Sequence, residues 1–186
     1  MDSLLPEHVE PLLTGRLGRP YRYLESCPST QQQLAAGDAE GTVVATGHQT
    51  AGRGRLGRAW EDAPGTSLLF SVLLTPRVEA ERLPELTVLA AEAVAEAVGG
   101  EVKAPNDVLL GGRKMAGVLG EASEGRVVLG IGVNANQTAA QLPAETRLRA
   151  TSLRLARGAP VDRAELLAGI LRAFERRYDA WLSGGK

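Results

Sequence analysis

The chain has 186 residues, of which 44% are hydrophobic and 4% aromatic, and its formal net charge at pH 7 is −1. This length suits one domain whose core needs neither disulfide nor metal, and the charge argues against a broad nucleic-acid-binding surface. Its single cysteine, Cys27, excludes an internal disulfide and favours a cytoplasmic location. No apolar run approaches about 20 residues and no basic segment precedes an apolar one at the N-terminus, so neither a membrane-spanning helix nor a signal peptide is predicted.

The first half of the chain is predicted to contain short strands and two helices. Ser29 to Ala36 is a predicted helix, because Ser29 and Gln32 have capping-box spacing. A second helix is predicted between Pro84 and Gly99. A loop rich in glycine and arginine, without periodicity, runs from His48 to Gly65. The predicted strands are apolar or β-branched: Tyr21–Leu24, Thr42–Thr46 and Ser67–Leu74.

The second half of the chain is predicted to be a β meander followed by a helix. Its strands are separated by two predicted turns, at Gly111-Gly112 and at Glu124-Gly125. The predicted strands are Val108–Leu110, Lys114–Glu121 and Val127–Asn134. A final helix is predicted after Asp162, with an apolar face at helical spacing that should be core: Leu167, Ile170, Leu171, Phe174, Tyr178 and Trp181. The predicted fold class is α+β, with a mixed, largely antiparallel sheet and helices on one face.

The loop at residues 52–60 has the sequence GRGRLGRAW. Its glycines match the dinucleotide-binding pattern G-x-G-x-x-G, but that site needs a helix directly after the loop, and the following EDAPG predicts none. Glycine lets a backbone approach a ligand closely, and arginine presents paired donors to phosphate or carboxylate. We therefore interpret the segment either as a binding loop for a polyanion or as a solvated basic loop.

This loop resembles the G-R-G-R-x-G-R-x-W signature of biotin protein ligases, and further segments resemble other motifs of that family in the expected order. Before the loop, Gln49-Thr50-Ala51 matches the usual lead-in, and Ser29-Thr30 resembles a Ser-Thr-Asn motif with Gln31 in place of Asn. The segment KAPND at 103–107 resembles K-W-P-N-D, with Ala104 in place of Trp. The last two are RKMAGVLGE at 113–121, similar to R-K-x-A-G-x-L-x-E, and GIGVN at 130–134, similar to G-x-G-x-N.

The resemblance implies a catalytic domain similar in fold to class II aminoacyl-tRNA synthetases. It implies a reaction in which the biotin carboxylate attacks the α-phosphate of ATP, with Mg²⁺, to give biotinyl-5′-AMP and pyrophosphate. A lysine of a biotin carboxyl carrier protein then takes the biotinyl group. Two alternatives stay open: a biotin- or biotinyl-AMP-binding protein with little catalysis, and a lipoate-type carrier-protein ligase.

The resemblance also assigns roles to individual residues. Fixed cations should cancel the repulsion between a carboxylate and a triphosphate, which makes Arg55 and Lys114 catalytic candidates, with Asp107 either coordinating Mg²⁺ or orienting Arg55. The candidate biotin-binding residues are Ser29, Thr30, Gln31, Gln49, Gly52, Arg53, Gly54, Arg55, Lys114, Gly117, Gly130 and Gly132. The candidate ATP-binding residues are Arg53, Arg55, Trp60, Asn106, Asp107, Lys114 and Asn134.

Several of these residues have a simpler structural interpretation. Ser29 would also serve as a helix N-cap, Trp60 as core, and the glycines as ordinary strand residues. His48 stands where the family more often has an acidic residue and is interpreted as a supporting or surface residue. No zinc site is predicted from two histidines and one cysteine.

Departures from the family pattern give further expectations. Residues 1–186 are expected to be one catalytic domain, without an N-terminal winged helix-turn-helix and without a C-terminal SH3-like domain, hence a monofunctional enzyme that does not bind DNA. A homodimer is compatible with the resemblance. Replacing Trp by Ala104 removes a large side chain, so the pocket is expected to be looser. In a packed core, such a loss would cost on the order of 3–5 kcal/mol. The loop at 52–60 is expected to be disordered alone and ordered with biotinyl-AMP.

Overall fold

A computed structural model of the chain describes residues 3–144 and 148–184. Seven strands form one sheet: β1 (Tyr21–Leu24), β2 (Val43–Thr46), β3 (Leu68–Leu74), β4 (Glu101–Lys103), β5 (Asp107–Leu110), β6 (Arg113–Ser123) and β7 (Arg126–Val133). Their order across the sheet is β1-β2-β3-β7-β6-β5-β4. β1 runs parallel to β2, and every other neighbouring pair is antiparallel. The predicted mixed, largely antiparallel sheet is therefore confirmed.

The helices are α1 (Pro6–Val9), α2 (Glu85–Val98), α3 (Leu153–Arg157) and α4 (Arg163–Leu182). Short 3-10 helices lie at Glu10–Leu12, Thr30–Gln33, Arg55–Gly57, Ala80–Arg82 and Ala139–Gln141. Within the described ranges, no helix combines the length and the apolarity that a bilayer crossing requires.

Helix α4 carries the apolar stripe predicted for it. The Asp162 side chain accepts hydrogen bonds from the backbone of Ala164 and Glu165, which caps the helix as predicted. Tyr178 stacks between Phe174 and Trp181, with ring centroids 5.9 and 6.0 Å apart. All the predicted stripe residues are buried in the main core together with residues of α2, so this stripe is core rather than a binding site.

Alternation along the central strands separates two faces of the sheet. On one face, Phe70 of β3 and Leu129 and Ile131 of β7 pack into the main core with α2 and α4. The intervening positions point to the opposite face; there β3 has Ser71, and β7 has Gly130 and Gly132. Small and polar residues on the second face leave room for a cavity.

The predicted helix from Ser29 to Ala36 is wrong. Only Thr30–Gln33 is helical, as a 3-10 turn, and the Ser29 side chain makes no cap hydrogen bond. Thr30 instead bonds to Gln49 and Ser71, and Gln31 bonds to the Leu119 carbonyl. Tertiary contacts to the sheet replace the hydrogen bonds that a longer helix would have made.

The premise that position 104 belongs to a packed strand end is also wrong. Residues 104–106 form the turn between β4 and β5, and Ala104 is exposed. A side chain in an exposed turn contributes little buried area, so the estimated loss of core packing energy does not apply. Strand β4 was not predicted, because its sequence has no apolar pattern: Glu101 and Lys103 are exposed, and only Val102 is partly buried.

Candidate active site

A cavity of about 490 Å³ lies on the second face of the sheet, within the size range of small-molecule sites. It is lined by every candidate residue predicted above except Gly52. The structure therefore brings distant motifs around one space. The described lining residues that lie outside every motif are Glu61, Pro143, Leu148 and Ala150.

The loop at 52–60 folds back on itself over this cavity. The Gly54 N–H donates to the Arg58 carbonyl at 2.7 Å, and the Trp60 N–H donates to the Gly52 carbonyl at 2.9 Å. Leu56 lies at the tip, with a φ of 59° and 87% of its surface exposed. No helix follows the loop between residues 58 and 67, which confirms that this is not a dinucleotide-binding turn.

Gly52 itself closes the base of the loop. A Cβ at this position would lie 2.5 Å from the Trp60 carbonyl oxygen and 3.0 Å from Gln49 Nε2. Only a residue without a side chain allows this close approach. Gly52 therefore shapes the loop through its backbone while lying outside the cavity lining.

The cationic part of the cavity is organised by two strands and the loop. Lys114 on β6 is 2.7 Å from Asp107 on the neighbouring β5. Arg55 donates to Asn106 Oδ1 at 3.2 Å, so Asn106 rather than Asp107 orients Arg55. Arg53 pairs with Glu121 at 2.7 Å. Among the described charged residues that line the cavity, five are cations and two, Glu61 and Asp107, are anions, which favours an anionic ligand.

Three glycines make room for protein side chains. A Cβ on Gly132 would lie 2.6 Å from the Trp60 ring, and one on Gly117 would lie 3.2 Å from it. A Cβ on Gly130 would lie 2.8 Å from Gln31 Cδ. Trp60 therefore packs against Gly117 and Gly132, and Gln31 packs against Gly130. These glycines thus have the packing role that the sequence left open.

Trp60 lies between the cationic side chain of Lys114 and the amide side chain of Gln49. Its ring lies 5.8 Å from Lys114 Nζ, and its backbone bonds to Gly52, beside the Gln49 amide. Among the residues described, the buried indole Nε1 has no hydrogen-bond partner.

The polar part of the cavity is held by hydrogen bonds that converge on Thr30. Gln49 Oε1 accepts from the Thr30 N–H at 2.8 Å and from Thr30 Oγ1 at 3.2 Å. Thr30 Oγ1 also lies 2.7 Å from Ser71 Oγ on β3. The carboxylate of Asp62 contacts His48 and the backbone N–H of Gln49. Neither Ser71 nor Asp62 belongs to a motif noted in the sequence, so sequence reasoning missed both.

Asn134 is tied into the framework of the site. Its Nδ2 donates to the Thr151 carbonyl at 3.0 Å, and its Oδ1 accepts from Gln137 at 3.2 Å. These bonds leave one Nδ2 hydrogen for a ligand. Adenine recognition by Asn134 stays a prediction.

Neither a preassembled protein metal site nor a reactive thiol is found among the described residues around this cavity. Across the described parts of the chain, no three His, Cys, Asp or Glu side chains gather in a group able to hold a metal ion. Burial raises the pKa of the Cys27 thiol, so little of the reactive thiolate is present near neutral pH.

Comparison with known proteins agrees with these motifs. A profile described as the Biotin/lipoate A/B protein ligase family matches residues 23–137, which is more than half of the chain. The bifunctional ligase/repressor BirA of Bacillus spizizenii is 40% identical, over 94% of this chain and 58% of its own length. The biotin–[acetyl-CoA-carboxylase] ligase of Mycobacterium tuberculosis is 35% identical, over 97% of this chain and 74% of its own length.

A solved structure agrees as well. The Aquifex aeolicus biotin protein ligase in complex with biotin and ATP superposes with a TM-score of 0.79 at 35% identity, covering 88% of this chain and 72% of that one. The chain spans 58% and 54% of the two Bacillus relatives it matches. By motif, profile and fold, the chain belongs to the biotin/lipoate A/B protein ligase family, among relatives that are biotin protein ligases.

Proposed function

We propose that this cavity activates biotin with ATP to form biotinyl-5′-AMP and then passes the biotinyl group to a lysine of a biotin carboxyl carrier protein. The observation that carries the proposal is the union of two environments in one cavity. Hydrogen-bonding amides and hydroxyls around Thr30 and Gln49 form one, and the cations Arg55 and Lys114 form the other. Biotin likewise joins a neutral ureido group to a carboxylate.

The first step brings two anions together. A biotin carboxylate oxygen bonds to the α-phosphorus, the bond from that phosphorus to the bridging oxygen breaks, and pyrophosphate leaves. Lys114, Arg53 and Arg55 would neutralise the charge that builds on the phosphorus oxygens, because preorganised cations stabilise it without reorganising. Asp107 keeps the Lys114 ammonium in place through their 2.7 Å contact.

The biotin head group would bind at the polar part of the cavity. A buried ureido group needs hydrogen-bond partners, at a cost of about 1–3 kcal/mol for each that is missing. Gln49 and Gln31 line the cavity there, as do Ser29 and Thr30. Gly54, together with Gly52 behind it, would let the loop backbone close over the ligand.

The nucleotide would lie beside Trp60, with Asn106 and Asn134 near it. Mg²⁺, when bound, would neutralise part of the charge of the triphosphate. The residues present fit it, since Mg²⁺ commonly takes one or two carboxylates together with substrate phosphates, and Asp107 has a second oxygen, Oδ2, beside the one facing Lys114.

The second step uses the mixed anhydride. The amine of the carrier lysine attacks the biotinyl carbonyl carbon, the bond from that carbon to the phosphate oxygen of AMP breaks, and the amine loses a proton.

The cytoplasm is the proposed compartment, which the free thiol of Cys27 supports. Sedimentation of the purified chain tests the homodimer that the resemblance suggested.

The proposal is tested by biotin-dependent exchange of pyrophosphate into ATP, followed by transfer to a carrier domain. Lys114→Met should lower exchange by about 10²–10³-fold. Arg113→Met is the matched control, because Arg113 is the exposed neighbour on β6 and lies outside the cavity. Exchange with lipoate instead of biotin, or biotin binding without exchange, would overturn the proposal.

A further inference from the structure

We infer that Asp62 is a positioning residue for the biotin head group and acts through Gln49. This inference rests on the proposed function, since it concerns how the polar part of the same cavity is held. Asp62 lies outside the cavity lining, so it has no direct contact with a ligand there.

Asp62 is a buried carboxylate whose hydrogen-bond donors are adjacent in sequence. Its side chain is 0% exposed and accepts from His48 Nδ1–H at 2.9 Å. Its other oxygen accepts from the Gln49 backbone N–H at 3.4 Å. A buried carboxylate is stable only when such donors satisfy it. Because an ionised carboxylate only accepts, it also sets the proton of His48 on Nδ1.

The two contacts clamp the peptide between His48 and Gln49 from one side. The other side is held by Cys27, whose N–H donates to the His48 carbonyl at 3.1 Å and whose carbonyl accepts from the Thr50 N–H at 2.9 Å. The backbone of residues 48–50 is therefore fixed between Cys27 and Asp62.

With its backbone fixed, the Gln49 side chain has one orientation. Both Thr30 donors point at Oε1, so the amide nitrogen Nε2 must point the other way. In the portion of the chain that the structure describes, Nε2 has no hydrogen-bond partner, and Gln49 lines the cavity. Nε2 is thus a donor held ready for an acceptor such as the ureido oxygen.

A purely structural carboxylate would behave differently from a positioning one. Its loss would lower stability and leave the affinity for biotin unchanged. Glu175 offers a matched control, since it accepts from the backbone N–H groups of Arg16 and Leu17, both at 3.1 Å. Glu175 lies outside the cavity.

The experiment compares Asp62→Ala, Asp62→Asn and Glu175→Ala by calorimetric biotin binding, by exchange kinetics and by thermal unfolding. Asp62→Ala should raise the Kd and KM for biotin about tenfold, as expected for one lost hydrogen bond, and leave the KM for ATP unchanged. Asp62→Asn should recover most of the affinity, because its Oδ1 still accepts from Gln49. Glu175→Ala should lower the Tm without changing biotin affinity.

The outcomes separate this inference from the proposed function. A wild-type chain that neither binds biotin nor catalyses exchange refutes the proposed function. A wild-type chain that does both, with Asp62→Ala less stable but unchanged in biotin affinity, overturns the positioning role of Asp62. If Asp62→Ala does not fold, His48→Ala replaces it in the same binding experiment. It frees one carboxylate oxygen and should raise the biotin Kd about threefold, and an unchanged Kd would overturn the inference equally.

Discussion

Replacing Gly132 by alanine should displace Trp60 from the wall of the cavity. The added Cβ would lie 2.6 Å from Cε2 and 2.8 Å from Cζ2 of the indole. Ordinary van der Waals contact begins at 3.4 Å, so the ring must move by the difference between 3.4 and 2.6 Å, about 0.8 Å. The indole is rigid, and its residue is anchored through the hydrogen bond from the Trp60 N–H to Gly52.

The energetic cost follows from that displacement. Overpacking a tightly filled site costs about 1–3 kcal/mol, and for a chain of this size each kcal/mol lowers the Tm by roughly 2–4 °C. Movement of the ring also changes its 5.8 Å distance to Lys114 Nζ. Under the proposed function, Gly132→Ala should therefore raise the KM for ATP as well as lower stability.

Thermal unfolding and exchange kinetics measure both effects, with Gly169→Ala as the control. A Cβ on Gly169 would have no atom within 4 Å, and the residue lies inside α4. That substitution should stabilise the protein by about 0.5–1 kcal/mol, because alanine loses less entropy in a helix. A Gly132→Ala protein with the Tm and ATP KM of the parent would refute the packing argument.

Three further predictions concern other parts of the molecule. Ala104→Trp should narrow the cavity and change the Kd for biotin by at least about threefold, as for a contact worth ~0.7 kcal/mol; an identical Kd would show that Ala104 does not loosen the pocket. Amide hydrogen exchange in residues 52–60 should be fast in the free protein and slow once biotin and ATP are added, and slow exchange without ligand would contradict the expected disorder. Burial, and then the hydrogen bond to Glu40, raise the pKa of Tyr178 above its ordinary value of 10.0. Its stabilising effect is therefore complete below pH 10 and is lost as the pH rises toward the folded-state pKa; a denaturation series from pH 8 to 11 should show this loss, and a Tyr178→Phe protein with the same alkaline loss would contradict it.

Much of the fold was predictable because long elements have clear periodicity. Helix α4 has an apolar stripe and a capping Asp162, and both are in the structure. Ser29 misled the prediction, because its capping-box spacing is a local signal while Thr30 and Gln31 are held by strands distant in sequence. Local propensity cannot register such contacts.

The membership of the site was predictable, but its internal contacts were not. Motifs identified nearly all of the residues that line the cavity, since each motif marks a chemical requirement. The sequence does not show, however, which side chain lies against each glycine. In the structure, Gly132 lies against Trp60, and Gly130 lies against Gln31. Asp62 could not be found from a motif, and the available signal was the unusual His48 that pairs with it.

The position of β7 in the sheet has a consequence for the growing polypeptide. β7 lies between β3 and β6, although it is synthesised after both. Until residues 126–133 leave the ribosome, β3 presents an unpaired edge of apolar residues, a kind of edge that readily pairs with other chains. A nascent or truncated chain that stops before this strand would therefore lack Gly132, against which Trp60 packs. Such a chain would be prone to aggregate, rather than fold into a less stable form of the complete domain.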